Sequence, residues 1–106
     1  MQEFDLTALE EYRREKFVFK PLYEGSGSKA MLLHLLPEQE MPLHPHLEWE
    51  VTLLPRLGEA VMFGEDGVET VLKAGVLYYC GLAPVFGIQN RGPEPFQMLV
   101  LLIRTV

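Results

Sequence analysis

The chain has 106 residues, 48% hydrophobic and 23% charged, a balance that fits one small folded domain and excludes a disordered polymer. Its net charge of −6, with no basic run anywhere, argues against nucleic acid and anionic membrane as partners. One cysteine, Cys80, excludes an internal disulfide framework. The N-terminus, Met1-Gln2-Glu3-Phe4-Asp5, is acidic where a secretory signal is basic and apolar, and the uncharged stretch Val76 to Asn90 is broken by Gly81, Pro84 and Gly87. A cytoplasmic protein is the expectation.

In chain order, Asp5 to Lys16 is the one helix candidate: Thr7-Ala8-Leu9-Glu10 has capping-box form, and Leu6, Leu9 and Tyr12 or Arg13 recur at one-turn spacing. From Phe17 the pattern turns to β. "FVFKPLY" is rich in strand formers, with Pro21 restricting it to an edge or an interrupted strand. After Gly25-Ser26-Gly27-Ser28 comes the apolar strand "AMLLHLL", broken at Pro37. "VTLL" runs to a break at Pro55-Arg56-Leu57-Gly58, and "EAVMF" is expected to pair with "VETVL" across Gly64-Glu65-Asp66-Gly67. "VLYYC", "VFGIQ" and "FQMLVLLIRTV" complete eight or nine short strands with Gly/Pro-rich turns between them, the spacing of an antiparallel sandwich or barrel.

Between these strands lies "PLHPHLEWE", Pro42 to Glu50. In an extended strand alternate side chains share a face at about 6–7 Å spacing, so His44, His46, Glu48 and Glu50 are expected on one side and Leu43, Pro45, Leu47 and Trp49 on the other. Two imidazoles and a carboxylate in that arrangement are a ligand set for a divalent transition metal. A solvated polar edge has the same pattern, and the alternation alone does not separate the two.

The chain resembles a small single-domain cupin from about Ala30 to Val106. Pro37, Pro42, His44-Pro45-His46, Glu50 and Gly58 match the family's first motif, with the Glu50 to Gly58 interval one residue longer than usual. Gly75 and Asn90 have the separation of the second motif, but its turn carries Gly81 and Ala83 instead of Pro and Gly, and its histidine, normally a further metal ligand, falls on Phe86. The resemblance implies an all-β double-stranded β-helix, a jelly-roll-like barrel spanning 30–106, with 1–29 as an N-terminal helix and edge strand used in dimerisation. It implies a site at His44, His46 and Glu50 for Fe, Mn, Ni or Zn, and a homodimer made through "FVFKPL" and "MLVLLI".

Around that site the expected pocket-lining residues are Glu48, Tyr78, Cys80, Phe86 and Gln97. Glu48 shares the face of Glu50 and is read first as an acidic rim residue, with replacement of Glu50 as ligand the alternative. Tyr78 and Tyr79 point to opposite faces of one strand. Cys80, without a basic neighbour, is an inert apolar filler or a cavity border. Phe86 dries one side of the pocket, and Gln97 is polar within an apolar strand. His34, among leucines, is a structural histidine. No nucleophile motif or phosphate-binding loop occurs. Two functions follow: a cupin binding a small molecule, with or without a metal and without catalytic machinery, or a metal-dependent oxygenase or isomerase. A structural domain with a filled pocket is the third.

Overall fold

The computed structural model describes residues 1–104 and is all-β. Nine strands form it: β1 (Val18–Glu24), β2 (Ser28–Leu35), β3 (Glu40–Pro45), β4 (Trp49–Leu57), β5 (Glu59–Phe63), β6 (Glu69–Lys73), β7 (Tyr78–Leu82), β8 (Val85–Gln89) and β9 (Phe96–Arg104). They make two antiparallel sheets, a five-stranded one in the order β1-β2-β9-β4-β7 and a four-stranded one in the order β3-β8-β5-β6. Among the described residues no helix is long and apolar enough to cross a membrane.

The turn chemistry places the strands where the sequence does. Pro21 lies on the edge strand β1, and the β1–β2 register slips between Pro21 and Tyr23, since proline has no N–H to donate to the ladder. Gly67 adopts φ +80°, Asp66 Oδ1 accepts from the Val68 amide at 3.0 Å, and β5 pairs with β6 from Phe63–Glu69 to Glu59–Lys73. At Gly58, φ is +73° and any side chain would run into the Pro95 carbonyl, so only glycine turns the chain out of β4. The expected break at Pro55 is instead a bulge: β4 continues to Leu57 with its register against β9 shifted between Pro55 and Leu57.

Residues facing inward from both sheets form one core. Leu33, Leu35, Val51, Leu53, Phe96, Met98, Val100 and Leu102 come from the larger sheet, and Met41, Ala60, Leu72, Phe86 and Ile88 from the smaller. The outer face of the larger sheet is also apolar at Ala30, Leu32, Leu99 and Leu101, which is why the sequence of β2 and β9 shows no alternation.

The expected N-terminal helix is absent. Asp5 Oδ1 accepts from the Thr7 and Ala8 amides, each at 3.1 Å, and the Leu9 amide donates to the Asp5 carbonyl at 3.0 Å; no helix continues from this turn, and the chain bends again at 14–16. Side chains of the barrel take the carbonyls a helix would use. Gln97 Nε2 donates to Leu6 O at 2.9 Å, Lys20 Nζ to Leu9 O at 3.4 Å, and Gln39 Nε2 to Arg13 O at 2.6 Å. A segment this short is marginal as an isolated helix, so these bonds decide its form. It becomes a strap on the outside of the larger sheet.

Candidate functional site

β3 ends at Pro45, and His44 stands opposite Phe86 of β8. His46 follows the strand end. Its backbone amide and its Nδ1–H both donate to the Pro84 carbonyl, at 3.1 and 3.0 Å. The His46 ring lies on Phe86 with centroids 4.4 Å apart and planes 12° apart, and the His44 ring is 4.3 Å from that of His46. His44 Nδ1–H donates to Pro42 O at 3.2 Å. A carbonyl only accepts, so each ring carries its proton on Nδ1 and leaves Nε2 for something else. Burial pulls the His46 pKa below the ordinary histidine value, which keeps that ring neutral.

The chain then reverses. The Trp49 amide donates to His46 O at 3.2 Å, and Glu48 sits exposed at the turn with φ +68°. This turn breaks the alternation on which a shared face for His44, His46, Glu48 and Glu50 depended. Trp49 takes the inward position, in register with Arg104, and Val51, opposite Leu102, is fully buried. Glu50 consequently lies on the outer face, opposite Ile103, where its carboxylate accepts from the Tyr79 hydroxyl. That bond is the main cause of a raised Tyr79 pKa. The extra residue between Glu50 and Gly58 was the signal: family spacing measured back from Gly58 lands on Val51.

The other expected pocket residues disperse. Tyr78 faces inward and Tyr79 outward, as anticipated, but the Tyr78 hydroxyl donates to Val71 O at 3.2 Å and accepts from the Lys73 amide at 3.0 Å, so it is committed to β6. Cys80 lines a separate cleft of about 230 Å³ with Met62, Thr70 and Phe86, and burial raises its pKa, leaving a thiol. Gln97 is fully buried on the outer face, where Nε2 meets His34 Nε2 at 3.1 Å and Oε1 accepts from Arg56; it holds the strap and lines no pocket. His34 is buried in the outer face with its Nε2 bonded by Gln97, but its Nδ1 has no hydrogen-bond partner, so the ring is only half satisfied.

A cleft of about 300 Å³ opens beside His44 and His46, walled by Phe19, Leu47, Trp49, Val100 and Leu102 and including Lys29. Lys29 belongs to the inward row of β2 with Met31, Leu33 and Leu35, and Arg104 to the inward row of β9 with Val100 and Leu102. Both cations sit over the Trp49 indole, Lys29 Nζ 4.7 Å and the Arg104 guanidinium carbon 4.8 Å from the ring centroid. Sequence reasoning missed Lys29, Trp49 and Phe19, because both faces of these strands are apolar and only register assigns a side.

No family model and no curated protein matches the sequence. Solved structures do. TT1209 from Thermus thermophilus is similar at 27% identity over 98% of each chain, with a TM-score of 0.87. A Klebsiella pneumoniae protein with a double-stranded β-helix domain is similar at 26% identity over 97% of this chain and 84% of its own, TM-score 0.89. An RmlC-like cupin protein from Desulfovibrio desulfuricans shares the fold at 19% identity, over 97% and 96% of the two chains, TM-score 0.86.

The chain folds as a small single-domain cupin. Cupins often bind metals, and here the donor set does not fit a resident ion. Two imidazole nitrogens are free, Glu50 is on the other face of its strand, and Phe86 has no donor atom. Among the described residues no three His, Cys, Asp or Glu side chains converge.

Proposed function

We propose that this cupin binds a small molecule in the cleft at the barrel mouth, without a resident metal and without a catalytic step. The observation that carries this is the composition of the cleft. Two imidazoles with free Nε2 atoms and one ammonium are set in a wall of Phe19, Trp49, Val100 and Leu102, which is the mixture of apolar lining and few fixed polar groups that small-ligand sites have. A metal-dependent oxygenase or isomerase would need a third protein donor for its ion, and the geometry supplies two. Trp49 is the only tryptophan, so its fluorescence reports on the cleft. Titrating a library of small polar-apolar compounds against that signal tests the reading; compounds that stabilise the protein but leave Trp49 unchanged, and that still bind after His46→Ala, would move the site elsewhere.

The same proposal takes the protein as a homodimer. Tyr79 and Ile103 are 66% and 51% exposed on the outer face of the larger sheet, beside Thr52, Leu54 and Leu101. In a chain of charge −6, a face with so few charges is where two copies meet without repulsion.

A further inference from the structure

We infer that the cleft selects a small carboxylate with an apolar body and a hydroxyl at its far end, the carboxylate at Lys29 and the hydroxyl at the histidines; this rests on the small-molecule reading above. Lys29 is the first observation. Acidic groups outnumber basic ones by 15 to 9 in this chain, and Lys20, Arg13 and Arg91 all form ion pairs with glutamates. Lys29 forms none among the described residues, although its strand turns it inward, half-buried, against the cleft. Its ammonium rests over an indole, and Arg104 shares that ring. Lys29 stands in register opposite Glu24 of β1 without an ion pair between them. With the exposed Arg104 on the same indole, two cations face one carboxylate at this end of the apolar wall, a local field that an anion satisfies and a neutral ligand does not.

The histidines are the second observation. Because the Nδ1–H of His46 is spent on Pro84 O and the ring is buried and stacked on Phe86, its Nε2 presents a lone pair to the cleft. His44 Nδ1 is likewise spent on Pro42 O. A lone pair repels a second carboxylate and accepts from a hydroxyl, which orients the ligand with its charge toward Lys29 and its donor toward the rings. Between these ends Phe19, Val100 and Leu102 offer no polar atom, so the body of the ligand is apolar.

The test is a Trp49 fluorescence titration of the full chain with para-hydroxybenzoate, the neutral para-hydroxybenzamide, and benzoate, which lacks the hydroxyl. The acid is expected to bind about tenfold or more tightly than its amide, and benzoate less tightly than para-hydroxybenzoate. Lys29→Met, which keeps the apolar stem over the indole, is expected to erase the preference for acid over amide, and Lys29→Arg to retain it. Equal binding of acid and amide by the wild-type protein overturns the anion inference and leaves the small-molecule reading standing. Absence of any response from Trp49 and from the amide NMR shifts of Lys29, His46 and Leu102, for all three probes at millimolar concentration, overturns both.

Discussion

His46 lies flat against Phe86, the two ring centroids 4.4 Å apart, and this contact fills the corner of the barrel mouth where a further nitrogen donor would complete a metal site. Because Phe86 is only 4% exposed and His44 faces it across the β3–β8 ladder, the stack also fixes both histidines. Phe86→Ala is expected to destabilise the fold by about 3–5 kcal/mol, measured by urea unfolding.

Phe86→His is the informative exchange. It places a third imidazole opposite His44 and beside His46. The variant is expected to gain binding of about one equivalent of Zn or Ni by isothermal titration, where the wild-type protein holds either ion only weakly. Tight, stoichiometric uptake by the wild type, lost in His44→Ala/His46→Ala, would refute the metal-free reading.

Glu50 bonds Tyr79 on the outer face. Glu50→Gln should therefore leave ligand affinity in the cleft unchanged within about twofold, since distant sites act independently. A complete loss of binding would return Glu50 to the site.

His34 and His46 are 0% and 9% exposed, and burial lowers both pKa values from the ordinary 6.5. A depressed histidine stays neutral in the folded state while the unfolded chain takes up protons. Its stabilisation is therefore intact above pH 6.5 and declines as pH falls from there toward the folded pKa. The urea midpoint should fall between about pH 7 and about pH 5, and His34→Gln should make that fall shallower. A flat profile in the wild type would contradict this.

Gln97 holds the strap through Leu6 O, His34 and Arg56. Gln97→Leu leaves Leu6 O and His34 Nε2 without that partner, while Arg56 keeps its bond to Thr7 Oγ1, and is expected to cost about 1–3 kcal/mol. Hydrogen exchange at the Leu9 and Glu10 amides, both bonded within the strap, should accelerate more than exchange in β9.

On the apolar outer face, Ile103→Glu brings a charge opposite Glu50. If that face joins two copies, light scattering should show the wild type at twice the chain mass and the variant at one chain mass. A monomeric wild type would end the homodimer proposal.

The sequence by itself determined most of the strands and turns and, through the family resemblance, the barrel. It read Pro42 to Glu50 as one strand where the chain turns at Glu48, and a break at Pro55 where β4 continues. "VFGIQ" and "EAVMF" are β8 and β5 to the residue, because glycines and prolines act locally and mark strand ends without reference to the rest of the chain. The resemblance carried by Pro42, His44, His46 and Gly58 singled out the two histidines, and both line the cleft beside Trp49. Face and partner were decided only by the tertiary structure. The turn at Glu48 reverses the alternation and sends Glu50 outward, while Trp49, Lys29 and Arg104 meet solely because β4, β9 and β2 pair in one register. The strap shows the same division: Asp5 to Leu9 can start a helix, but Gln97, Lys20 and Gln39, distant in sequence, take its carbonyls and extend it. Local chemistry sets where elements begin and end, and long-range pairing sets which side chains meet.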